Sequence, residues 1–180
     1  DRVANPGEAL TCKVYADLIN SLYFSTVTIV DPHSDVAPAL IDNCRVDKGY
    51  SLVQKALLDA FPMPDEEYYI VSPDAGANKK IKDTVQMIHT DKTILTKPEG
   101  IVKCDKSRDT KTGKITGFEV YADDLQGADV VIIDDICDGG GTFVGVAEEL
   151  VEKNAGEIYL VVTHGIFSKG FEHLNGIFKQ

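Results

Sequence analysis

A mostly parallel α/β sheet flanked by helices is the fold class predicted by three observations. Short β-branched runs (TVTIV, YYIV, VVII, YLVV) alternate with amphipathic stretches of helical length. Acidic or glycine-rich turns follow those runs, as at the ligand-binding edge of an open α/β sheet. The length of 180 residues is that of one domain with a substantial core, taken here as residues 1–180.

The elements follow in chain order. GEALTCKVYADLINSLYF carries apolar residues at helical spacing and stops before a β-branched run. TVTIVD reads as a buried strand ending at Asp31, and VAPALI as a short helical turn. SLVQKALLDAF is an amphipathic helix closed by the proline-bearing PMPDEE. YYIVS is a second strand, and SPDAG turns it with an acid. NKKIKDTVQMIH is helical, TILT is strand-like, and GIVKCDKSRD begins as a strand and ends in charge. After the polar TKTGK come the strand GFEVYA, the strand Val130–Ile133 with the helix FVGVAEELVEK, and the strand EIYLVVTHG. This alternation implies a largely parallel sheet with helices on both sides. No internal repeat is evident.

Composition narrows the function. Hydrophobic residues at 43% and charged residues at 26% fit an ordinary globule. No apolar run reaches membrane-spanning length, and no signal-like segment is present. A net charge of −11 argues against nucleic acid or an anionic bilayer as the main partner. Cys12, Cys44, Cys104 and Cys137 form no CxxC pair and match no histidine cluster, which argues against a structural zinc site and offers no disulfide framework. They read as reduced thiols of a cytoplasmic protein. Cys137 has no adjoining base and is not nominated as a nucleophile. The chain opens on Asp1 rather than methionine, so a processed or cropped piece is expected.

The most informative stretch is VVIIDDICDGGGTF, residues 130–143. Gly139, Gly140 and Gly141 permit positive φ and close backbone approach, so successive N–H groups can converge on an anion. Thr142 is expected to cap the following helix, whose positive end points the same way. Asp134, Asp135 and Asp138 would repel a phosphate unless magnesium or sugar hydroxyls intervene, so the pairing suggests a phosphorylated sugar. Tight packing is the plain alternative for such a turn. Asp31 and His33 could put a carboxylate and an imidazole near one metal or one triphosphate. His33 alone is equally a capping or packing residue, and Asp74 before Ala75 and Gly76 equally a turn former. Together they make three acidic turns on one expected rim. Lys106 and Arg108 alternate along an extended segment and so should project the same way, cations suited to a transferring phosphoryl group. A solvated charged hairpin is the alternative.

These residues resemble a known family. VVIIDDICDGGGT resembles the phosphoribosyl-diphosphate (PRPP) loop, which type I phosphoribosyltransferases share. DPHSD resembles the D-x-H motif of ribose-phosphate pyrophosphokinases, SPDAGANKK the segment after their next strand, and VKCDKSRD their D-K-x-R flexible loop. Asp1-Arg2 with LTCKVYADLI resembles the end of the ATP-contacting R-Q-D-R stretch and its helix, and THGIFSKGFEHL the T-H-G-x-F-S segment. The matches keep the family's order over nearly the whole chain.

The resemblance implies a type I phosphoribosyltransferase-like fold, as part of a longer two-domain chain that includes the inter-domain helix. It implies transfer of pyrophosphate from ATP to the 1-hydroxyl of ribose 5-phosphate, giving PRPP and AMP, with Mg2+ required. His33 and Asp74 would be magnesium-linked, with Asp31 a further ligand. Lys106 would be the principal catalytic cation and Arg108 its partner. Asp134 and Asp135 would face ribose hydroxyls, and Asp138, Gly139, Gly140, Gly141 and Thr142 would hold the 5-phosphate. A homo-oligomer is implied. Gly139 departs from the family's usual threonine and leaves the acceptor open, so a related sugar phosphate such as ADP-ribose is a second expectation. Phosphoribosyl transfer to a base and a PRPP-binding regulatory subunit are the remaining alternatives.

Overall fold

The computed structural model describes residues 3, 5–63, 66–108 and 115–179, with the side chains of Arg108, Ile115 and Thr116 outside the description. The chain forms two compact units, Asp1–Tyr50 and Ser51–Gln180.

In the first unit, α1 (Thr11–Asn20), β1 (Val27–Val30), α2 (Val36–Leu40) and β2 (Cys44–Asp47) follow in order. β1 and β2 make a two-stranded parallel ribbon from Val27↔Cys44 to Val30↔Asp47. The Asn20 amide ties the end of α1 to this ribbon, donating to Leu40 O at 3.0 Å and accepting from Asp42 N at 2.9 Å. Two expectations change here. TVTIVD was expected to be buried, yet β1 alternates half-buried and exposed residues, because β2 is its one partner among the described residues. CRVD forms a strand that periodicity does not signal, since its pairing comes from backbone groups rather than from an apolar run.

The second unit carries α3 (Tyr50–Ala60), β3 (Tyr68–Ser72), α4 (Asn78–Thr90), β4 (Gly100–Arg108), β5 (Ile115–Val120), β6 (Asp129–Cys137), α5 (Gly141–Glu152) and β7 (Ile158–Gly165). Its five-stranded sheet has the order β5-β4-β3-β6-β7. β4, β3, β6 and β7 run parallel, and β5 pairs antiparallel with β4. The mostly parallel α/β class is therefore the observed one. Val71, Val130 and Ile132 join one core cluster with Phe143, Val146, Ala147 and Leu150 of α5. Ile70, Val131 and Ile133 alternate with them and are equally buried, so both faces of the central strands are covered.

TILT is not a strand. Its polar groups serve as ties instead: Thr96 Oγ1 donates to Met63 O, and the adjacent Lys97 ammonium donates to Ile88 O at 2.6 Å and Asp91 O at 2.5 Å, closing the end of α4. Lysine near a helix C-terminus satisfies carbonyls that have no partner within the helix.

Candidate active site

Parallel pairing brings the carboxyl ends of β3, β6 and β7 to one edge of the sheet. At the end of β3, Asp74 uses both carboxylate oxygens. Oδ1 accepts the Ala77 N–H at 3.1 Å and so closes the first turn of α4, whose N-cap residue has no polar side chain. Oδ2 accepts the Lys106 ammonium at 2.6 Å, from the neighbouring strand β4. Burial pushes the Asp74 carboxyl up, but Lys106 and the Ala77 and Gly76 amides outweigh it and hold the group below its ordinary value.

The acids of β6 stand inside the strand rather than beyond it. β6 was expected to end at Ile133 but runs to Cys137, because β7 continues to pair it through Asp134↔Val162 and Cys137↔Gly165 after β3 has stopped at Ile132. Asp135 is buried and Asp134 half-buried. The Asp135 N–H donates to Asp134 Oδ1 at 2.9 Å, and the Thr163 hydroxyl donates to Asp135 O at 3.0 Å. Burial, then the neighbouring Asp135 carboxyl, pushes the Asp134 carboxyl well above its usual range. Asp74 adds to that upward push, and the pairing of β3 beside β6 up to Val71↔Ile132 sets the acids on neighbouring strand ends. Asp138 is exposed beyond them. Cys137 is fully buried and burial pushes its thiol up, the opposite of what a nucleophile needs.

The glycine turn then enters α5. Gly140, at φ 73°, is the N-cap, and Thr142 lies within the first turn instead of capping it. A left-handed residue makes the turn, so the cap falls on a glycine that can adopt that conformation. A Cβ on Gly140 would lie 2.8 Å from His173 Nε2 and 2.9 Å from Leu174 Cδ2. His173 Nε2–H donates to Gly139 O at 3.0 Å, and Lys169 lies over Gly139. Lys169 and His173 were missed in the sequence. The available signal was the pair of basic residues, four apart, in the segment that follows the T-H-G-x-F-S match.

The structure therefore brings together Asp74, Lys106, Asp134, Asp135 and the 138–142 turn. Asp31 and His33 belong to the first unit, following β1. Four strand ends were expected on one rim; those of β3, β6 and β7 share a sheet, whereas β1 belongs to the two-stranded ribbon. Asp31 is buried at φ 45°, its N–H donating to Asp47 O at 2.6 Å. The side chain of Arg108, residues 109–114 and the Asp1-Arg2 pair lie outside the described residues. The β4–β5 register shifts between Ser107 and Arg108, so strict alternation stops there. Among the described residues no group of three or more His, Cys, Asp or Glu is poised to hold a metal, and no helix is long and apolar enough to cross a membrane.

Comparison with known proteins agrees with the fold. Residues 109–175 match the family described as phosphoribosyl synthetase-associated domain. The chain is 33% identical over 172 residues to a ribose-phosphate pyrophosphokinase of Mycoplasmopsis pulmonis, covering 96% of this chain and 50% of the relative. It is 29% identical over 176 residues to that of Campylobacter jejuni, covering 97% and 52%. The crystal structure of phosphoribosylpyrophosphate synthetase from Mycobacterium smegmatis superposes with a TM-score of 0.71 at 22% identity, covering 92% of this chain and 50% of that one. The chain thus spans about half the length of the curated relatives it matches.

Proposed function

The chain belongs to the ribose-phosphate pyrophosphokinase family, and from that premise we propose that it takes part in moving the pyrophosphoryl group of ATP to the 1-hydroxyl of ribose 5-phosphate, yielding PRPP and AMP. One observation carries the reading: a carboxylate and an ammonium, Asp74 and Lys106, are joined at 2.6 Å on the same sheet edge as the acidic strand end and glycine turn. A phosphate cradle alone would suit phosphoribosyl transfer to a base, or a PRPP-binding subunit. Neither gives the Lys106 ammonium a role.

Each side chain has work in the proposed reaction. The amides of Gly139–Thr142 bind the 5-phosphate, aided by the positive end of α5. Asp134 and Asp135 accept from ribose hydroxyls, and Asp138 borders the cradle. The sugar 1-oxygen attacks the β-phosphorus, the bond from that phosphorus to the α-phosphate oxygen breaks, and AMP leaves. Lys106 and Arg108 offset charge on the transferring group. Mg2+ takes one or two carboxylates together with substrate phosphates, and ionised Asp74 suits that donor set; Asp31 and His33 are proposed separately, as magnesium-linked residues of the first unit. The metal would supply charge neutralisation on the phosphates. This reading places the protein in the cytoplasm as a homo-oligomer.

Incubating the chain in its full-length protein with ATP, Mg2+ and ribose 5-phosphate should release AMP. Absence of AMP with every sugar phosphate tried rejects the proposal. Gly139 favours testing a second acceptor, ADP-ribose, because the residue offers the 5-substituent no hydroxyl; comparing AMP release from the two acceptors separates them.

A further inference from the structure

Past β7 the chain folds back over the glycine turn. The N–H groups of Ile166 and Phe167 donate to Cys137 O at 2.8 and 3.3 Å, and Leu174 is buried in the core cluster, so both ends of the intervening arch are fixed. The Phe167 and Phe171 rings, 4.5 Å apart, brace it from within. Lys169 is thereby laid on Gly139: a Cβ there would meet its Cε at 3.3 Å, its Cδ at 3.5 Å and its Nζ at 3.7 Å. The aliphatic stem occupies the margin that a side chain at 139 would need, so glycine at 139 and lysine at 169 suit each other.

We propose that Lys169 directly binds the phosphoryl group carried on C5 of the ribose, supplying the charge-assisted contact that Gly139 cannot. This rests on reading the turn as the sugar-phosphate cradle. Asp134, Asp135 and Asp138 make the neighbourhood acidic, and a helix end offers only about half a charge against them. A full unit charge is needed beside the amides, and among the described residues Lys169 has no ion-pair or hydrogen-bond partner that would spend it. His173 supports the arrangement by occupying the Gly139 carbonyl, an acceptor that would otherwise face an anion. Lysine on a flexible stem is a point-charge donor, suited to either a phosphate monoester or a diphosphate ester.

Calorimetric titration of the full-length protein with ribose 5-phosphate, ADP-ribose and unphosphorylated ribose tests this. Lys169→Met should weaken at least one of the two phosphorylated ligands by about tenfold, as expected for loss of a charge-assisted hydrogen bond. Lys169→Arg should restore most of the loss, ribose should respond to neither change, and the KM for ATP should stay within about twofold. Lys169 is exposed, so the methionine variant keeps its fold. Equal affinity of wild type and Lys169→Met for both phosphorylated ligands overturns the assignment, and so does wild type binding neither. AMP release with unchanged acceptor affinity in Lys169→Met would reject this contact alone. Lys169-dependent binding without AMP release would reject the transfer reaction alone.

Discussion

Asp74 carries two structural duties on one carboxylate, so its replacement reports on both. Asp74→Ala removes the acceptor that closes α4 and leaves the mostly buried Lys106 ammonium unpaired. The expected cost is about 1.5–3 kcal/mol in urea unfolding, from loss of a cap and of an ion pair. Because the Asp74 carboxyl is held below its ordinary value of 3.8, its contribution is present above that pH and is lost as pH falls through the folded value. Lys106→Met should shrink that acid-side loss and lower AMP release at least about a hundredfold if Lys106 stabilises the transition state. Asp134 has the opposite sign. Its folded value lies above 3.8, so the wild type is favoured below that pH and loses stability as pH rises through the folded value. Asp134→Asn should therefore melt higher than wild type at pH 7 to 8, by about 1 kcal/mol or more, with the advantage vanishing near pH 4. A constant difference across that range would show that burial of charge is not the cause.

Element starts show how the site is held. Gly140 combines a left-handed φ of 73° with His173 and Leu174 closer than van der Waals contact to any added Cβ. Gly140→Ala should cost about 2–4 kcal/mol, from backbone strain plus overpacking, and should weaken ribose 5-phosphate binding in the variant that still folds. A thermal shift near zero would mean that the arch yields freely. β3 and β6 were legible because they lie in the sheet interior and are apolar on both faces, β7 because its apolar run is continuous even at the sheet edge, and α3 and α4 because their periodicity is strong. CRVD was silent, since backbone pairing needs no hydrophobic signal. The length of β6 was hidden in its partner: Asp134 to Cys137 look like a loop until β7 supplies the pairing. Lys169 and His173 were out of reach for a similar reason. Their position depends on Leu174 entering a core made by residues from Tyr69 onward.

At the scale of the whole molecule, the two units divide the proposed chemistry unequally. The cluster that includes Val71, Ile132, Phe143 and Leu174 draws all its members from residues after Tyr50, and the five-stranded sheet lies wholly within that unit. A chain of residues 49–180 keeps α3 entire, and at roughly 130 residues a domain buries about two thirds of its surface, enough for independent folding. It should melt cooperatively and bind ribose 5-phosphate within about threefold of the longer chain, because the acids, glycine turn and Lys169 are all retained; differences smaller than this fall below about 0.7 kcal/mol. AMP release should be lost, since the shorter chain lacks Asp31 and His33, the proposed further metal ligands. Adding Mg2+ to high concentration should not restore it if those ligands position the metal rather than merely recruit it. A folded 49–180 chain that cannot bind ribose 5-phosphate would place part of the acceptor site elsewhere. One that still releases AMP would remove Asp31 and His33 from the reaction and leave Asp74, with the substrate phosphates, as sufficient for the metal.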